Sequence, residues 1–79
     1  MNIEIAFGVV LKRLRNELGL SQEEMADISG FHRTYISLLE RGLKSPSLDT
    51  IKRLCEALGF KMHQFALLME EELLKSKGE

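Results

Sequence analysis

The side chains able to do chemistry in this chain are few, and they gather in one stretch. His32, Arg33, Thr34 and Tyr35 stand in a row, Ser37 follows them, and Gln22 precedes them. No nucleophile accompanies His32, so acid–base catalysis finds no partner there. Cys55, His32 and His63 supply one thiol and two imidazoles, short of the four ligands and the spacing of a zinc site. No glycine-rich phosphate loop is present. An enzyme is the class with least support, and no metal, cofactor or small-molecule ligand is expected. With a single cysteine the chain has no intrachain disulfide. What remains is a polar, basic turn suited to hydrogen-bonded recognition.

The neighbouring elements explain how that turn is presented. Ser21 to Glu24 spells S-x-x-E, a capping box that satisfies free N–H groups at a helix start. Leu20 is its outer apolar contact, Met25, Ala26 and Ser29 form a narrow inner face, and Gly30 ends the helix. A third helix follows, with His32 at or beside its N-cap, Arg41 at its end and Gly42 beyond. Ile36 and Leu39 are its buried pair, and Phe31 packs under the turn. Arg33, Thr34, Ser37 and Leu38 are left facing outward. Two short helices joined by a glycine-containing turn outline a helix-turn-helix, whose second helix enters the major groove of DNA. Small Ala26 allows the two helices to cross closely.

Three further helices form the scaffold. Ile3, Phe7, Val10, Leu11, Leu14 and Leu18 recur at three- and four-residue steps and define a first helix over 3–18, stopped by Gly19. Pro46 precedes a Ser47 cap, and Leu48, Ile51, Leu54, Cys55 and Leu58 stripe a fourth helix ending at Gly59. Cys55 reads as core rather than as a redox switch. A fifth helix runs from about Lys61 toward Lys75, with Met62, Phe65, Ala66, Met69 and Leu73 on one side. Leu67, Leu68 and Leu74 widen its apolar surface around a second side. A small monomer would leave that patch in water, so a homodimer contact through Leu67, Leu68 and Leu74 is expected. The fold class is all-α, a compact five-helix arrangement in one domain over 1–79.

Composition is compatible with this reading. The 79 residues are 44% hydrophobic and 29% charged, as in an ordinary globular domain. The net charge of −1 hides an uneven distribution. Residues 32–61 hold six basic side chains (Arg33, Arg41, Lys44, Lys52, Arg53, Lys61) against three acidic ones (Glu40, Asp49, Glu56), a local +3. Residues 64–79 hold Glu70, Glu71, Glu72 and Glu79 against Lys75 and Lys77, a local −2. A basic face, not the whole-chain sum, is what phosphate contact requires. The N-terminus lacks the order of a secretory signal, and no apolar run approaches the roughly eighteen residues of a membrane span. A cytoplasmic protein is the default expectation.

Residues 11–59 resemble the lambda-repressor-like helix-turn-helix family, the XRE type of Cro and phage repressors. The resemblance rests on Leu-Lys-x-Leu-Arg in helix one, Gly-Leu-Ser-Gln-Glu-Glu-x-Ala entering and filling helix two, and Tyr-Ile-Ser-x-x-Glu-Arg-Gly closing helix three. Pro-Ser-Leu-x-Thr-Ile and Ala-Leu-Gly then mark helix four. The short chain and the string His-Arg-Thr-Tyr-Ile-Ser also resemble the controller proteins of restriction–modification systems.

The resemblance implies roles that each side chain can fill. Gln22 matches a position that holds a DNA phosphate, which a helix N-terminus favours in any case. Arg33 and Thr34 match base-reading positions, and an arginine there can grip guanine O6 and N7. Thr34 stays open between base contact and a plain surface position. Leu38 departs from the family's usual polar residue; it either meets a thymine methyl or covers the helix pair. His32, Tyr35, Ser37, Arg41, Lys44 and Ser45 would follow the DNA backbone, with Tyr35 alternatively packing across the turn. Arg15 and Glu40 match a structural ion pair tying helix one to the end of helix three. The implied function is a sequence-specific transcriptional regulator, a homodimer on a near-palindromic operator in double-stranded DNA, controlled by its own concentration. An antitoxin that binds its own promoter, or an interaction module working through helix five, are the alternatives.

Overall fold

The structure is a computed structural model and describes residues 1–78; Glu79, counted above in the acidic tail, lies outside them. Five helices follow one another: α1 Ile3–Glu17, α2 Gln22–Ser29, α3 Arg33–Glu40, α4 Leu48–Leu58 and α5 Met62–Gly78. Among the described residues there is no strand. The starts are set by local chemistry. Asn2 Oδ1 accepts from the Ile5 N–H at 2.8 Å, Ser21 Oγ from Glu24 at 3.0 Å, and Ser47 Oγ from Thr50 at 3.1 Å. Each satisfies one of the free amides that a helix start leaves over. The Ser21 box is complete, because Glu24 Oε1 in turn accepts from the Ser21 N–H at 2.9 Å. The Ser21 backbone N–H, which contributes most, and the Ser21 hydroxyl hold the Glu24 carboxyl below its usual range.

The core lies where all five helices meet. Phe7, Val10, Leu11 and Leu14 of α1 close over Met25 and Ala26 of α2 and over Ile36 and Leu39 of α3. Leu54, Cys55 and Leu58 of α4 and Phe65 of α5 complete it. The rings of Phe7 and Phe65 stand 5.0 Å apart. Full burial of a large apolar side chain stabilises by roughly 1.5–3 kcal/mol, so this pair anchors α5 to α1. Burial also raises the Cys55 thiol above its usual pKa. Gly8 sits mid-helix on α1 where α3 ends: a Cβ there would collide with the carbonyl oxygens of Leu39 and Glu40. The absent side chain lets the two backbones touch.

Several expected faces are turned. Ile3 and Leu18 are exposed, since they fall at the two ends of α1 beyond the reach of the core. Leu48 is 77% exposed, and Thr50 is buried in its place. The cause is the cap: Thr50 is tied inward by its bonds to Ser47, which turns the first residue of α4 outward. On α5, Phe65 and Met69 of the expected row face inward together with Leu68, Glu72 and Ser76, and Leu73 is half-buried, while Met62 and Ala66 are exposed. At about 100° per residue the face is turned by roughly 60°, less than one position. It is fixed at both ends, by Phe65 in the core and by Glu72, which pairs with Arg13 at 3.2 Å and Lys75 at 3.5 Å. Beyond these, Ser76 Oγ accepts from the Met1 ammonium at 3.0 Å. Leu68 therefore packs against the protein's own core, while Leu67 and Leu74 stay 60% and 66% exposed. Among the described residues no helix is long and apolar enough to cross a membrane.

Candidate nucleic-acid interface

The turn between α2 and α3 is built from Gly30, whose φ of +77° is the left-handed conformation that caps α2. The Phe31 N–H reaches back to the Ala26 carbonyl at 2.9 Å, closing the end of α2. His32 then becomes the N-cap of α3, with extended backbone. Unlike the caps of α1, α2 and α4, the His32 side chain makes no bond to the helix it precedes. The first turn of α3 thus begins with exposed His32, Arg33 and Thr34 and with helix-start N–H groups that no side chain satisfies. Such a start attracts anions and hydrogen-bond acceptors.

One face of α3 is committed to the interior. Ile36 and Leu39 are buried, and Tyr35, Ser37 and Leu38 are half-buried. The Tyr35 hydroxyl lies 3.3 Å from Thr50 Oγ1, and its ring stands 5.2 Å from that of Phe31. Tyr35 is thus engaged across the turn. Leu38 and Ser37 are less open than an outward-facing pair would be, and only the N-terminal turn of α3 is fully in water. After α3, Arg41, Lys44 and Ser45 are all exposed, with Arg41 Nε 3.4 Å from the Ser37 carbonyl.

Below this surface lies a buried polar junction. Arg15 Nε donates to Glu40 Oε2 at 2.6 Å and a terminal nitrogen to Oε1 at 3.0 Å, a two-pronged pair whose side chains are 10% and 3% exposed. The hydrogen bonds from Arg15 to Glu40, with their opposite charges, raise the arginine's pKa against the opposing effect of burial. Arg15 also donates to the Leu20 carbonyl at 2.7 Å, reaching the chain just before α2. Gln22 Nε2 donates to Glu40 Oε1 at 3.1 Å. One carboxylate at the end of α3 thus fixes α1, the start of α2 and the side chain of Gln22. An amide carries two N–H groups, so Gln22 keeps one for a second acceptor.

One residue of this region stands out only in the structure. Arg53 of α4 donates to the Ser29 carbonyl at 3.1 Å and the Gly30 carbonyl at 2.9 Å, and its guanidinium lies 4.1 Å from the centre of the Phe31 ring. In the sequence it is one basic residue among the six of residues 32–61. The surface of α2 is acidic, with Glu23, Glu24 and Asp27 exposed beside the basic start of α3. Among the described residues no group of His, Cys, Asp and Glu is placed to hold a metal.

Known proteins carry the same arrangement. Residues 11–65 match the helix-turn-helix family. The control protein C.BamHI of Bacillus amyloliquefaciens is 42% identical over 59 residues, 73% of each chain. The control protein C.SmaI of Serratia marcescens is 36% identical over 78 residues, 99% of this chain and 90% of that one. The crystal structure of the restriction-modification controller protein C.AhdI from Aeromonas hydrophila superposes with a TM-score of 0.76 at 39% identity, over 78% of this chain and 94% of that one. The Arg15–Glu40 junction, the glycine turn and the polar start of α3 all fall within the matched residues, and the chain belongs to the XRE-type helix-turn-helix family of DNA-binding transcriptional regulators.

Proposed function

We propose that this protein is an operator-binding regulator of the restriction–modification controller type, acting as a homodimer. The observation that carries the reading is the start of α3: exposed, basic and uncapped, on a helix whose other side is locked into the core. Arg33 and Thr34, the first two residues of α3, read base edges in the major groove, with Leu38 one turn further on. Gln22, His32, Ser37, Arg41, Lys44 and Ser45 hold the phosphates, and Tyr35 supports the turn from behind. The exposed Leu67 and Leu74 join two copies, so that two α3 helices enter successive grooves about 34–36 Å apart. The likeness to C.BamHI, C.SmaI and C.AhdI supports the controller type and a cytoplasmic setting.

Selection from a randomised duplex library tests this directly. A near-palindromic motif should be enriched, and its affinity should fall on a log–log salt plot with a slope of about −0.9 per phosphate held. A pool that gains no motif at moderate salt defeats the reading.

A further inference from the structure

We propose that Arg53, on α4, is a positioning residue for base readout: its guanidinium clamps the α2–α3 turn and so sets the direction in which Arg33 and Thr34 leave the protein. The inference rests on the reading of α3 as the helix that meets DNA.

The clamp has two parts. A terminal nitrogen of Arg53 bonds the Ser29 carbonyl at 3.1 Å and the Gly30 carbonyl at 2.9 Å, at the C-terminal end of α2. Carbonyls there have no partner within the helix, and a cation suits that end of its dipole. The guanidinium also lies 4.1 Å from the centre of the Phe31 ring, the residue just past the turn. Phe31 leans on Tyr35, whose hydroxyl meets Thr50 on α4 at 3.3 Å. Arg53 and Thr50 thus grip the turn and the first turn of α3 from one helix. The fit at Gly30 is close: a Cβ there would stand 2.6 Å from the Arg53 nitrogen.

Two features separate this role from a phosphate contact or a general contribution to stability. The nitrogen that bonds both carbonyls has both its N–H groups in use, and Asp49 Oδ2 stands 3.9 Å from the other terminal nitrogen, offsetting the charge toward an incoming phosphate. The side chain is 42% exposed and its bond to Gly30 lies at the surface, so the Gly30 carbonyl released by its removal meets water rather than being stranded. The turn keeps its Phe31-to-Ala26 bond without Arg53, and loosens rather than unravels.

The test compares wild type, R53M and R53K on two duplexes of equal length, the motif enriched by the wild type and a scrambled version of it. R53M is expected to lose about tenfold in affinity for the motif and no more than about threefold for the scrambled duplex, with an unchanged salt slope. R53K is expected to fall between, because an ammonium reaches the carbonyls but lacks the planar fork that also stacks. In the free protein, amide exchange at Phe31 and Tyr35 should quicken in R53M while α1 amides keep their protection. Equal losses on both duplexes with a slope shallower by about 0.9 would make Arg53 a phosphate contact and overturn the proposal. Unchanged discrimination by R53M overturns it as well. Should R53M lose its helical signal, R53K decides, and discrimination within about twofold of wild type refutes the clamp. A wild type that enriches no motif sinks the DNA reading instead, and the exchange measurement still judges the clamp.

Discussion

Glu40 accepts two hydrogen bonds from Arg15 and one from Gln22 while its side chain is almost wholly out of water. Removing one partner of such a pair leaves an uncompensated buried charge, at a cost of about 3–5 kcal/mol, whereas replacing both with apolar groups is often close to neutral. Arg15→Met and Glu40→Leu should each lower the urea midpoint sharply, and the double variant should recover part of the loss. A double variant as weak as the sum of the singles would show that the two side chains act separately. At the surface the expectation is different in kind. Arg33→Ala should cost about 1–3 kcal/mol on the motif and relax preference at one base position, leaving the fold untouched. Binding with every base preference intact would remove Arg33 from the readout. The Arg15 and Glu40 pairing was legible through the family pattern, because both residues sit at matching positions. Arg53 was not, because its partners are backbone carbonyls of another helix and no side-chain type betrays a carbonyl. Gln22 was legible as a residue but not in its tie to Glu40, which depends on how α2 and α3 cross.

The elements show the same division between local and tertiary causes. Helix ends were readable, since Ser21, Ser47 and the glycines act within a few residues of themselves. Helix faces were less so: Met62 and Ala66 continue the α5 stripe as regularly as Leu68 and Glu72 do, and Phe65 in the core together with the Glu72 pair to Arg13 decides which of them turn inward. Gly8 is a further case. Alanine gains about 1 kcal/mol of helix propensity over glycine, but here its Cβ would meet the backbone of α3, which cannot swing aside. Overpacking costs about 1–3 kcal/mol, so Gly8→Ala should lower the melting temperature on balance, and a rise would mean that α1 and α3 can part freely. The cap of α2 predicts a pH dependence. Because Glu24 has its pKa lowered by folding, its contribution is present above the unfolded value, about 4.3 for a glutamate, and is lost as pH falls through the folded value. The stability difference between wild type and Glu24→Gln should therefore shrink on acidification below the ordinary carboxylate range. A difference constant from neutral pH into acid would show that the carboxylate charge adds nothing to the box.

For the whole molecule, the arrangement of charge and apolar surface decides how two copies could meet. On the proposed reading the basic start of α3 faces DNA, and α5, packed on α1 through Phe65 and Glu72, keeps Leu67 and Leu74 in water two turns apart on its outer side. Two apolar residues seven positions apart form a short seam of the kind that pairs helices. Introducing charge on that seam should separate the copies without disturbing either, since neither leucine belongs to the core cluster. Leu67→Glu, Leu74→Glu should sediment as a monomer with an unchanged helical spectrum. It should also lose affinity for the full palindrome far more than for one half-site, because the gain from two linked contacts disappears. Sedimentation identical to wild type would remove α5 as the interface. Leu43 and Leu48, the other large apolar side chains most open to water, would then be the surface to charge next in testing the proposed dimer.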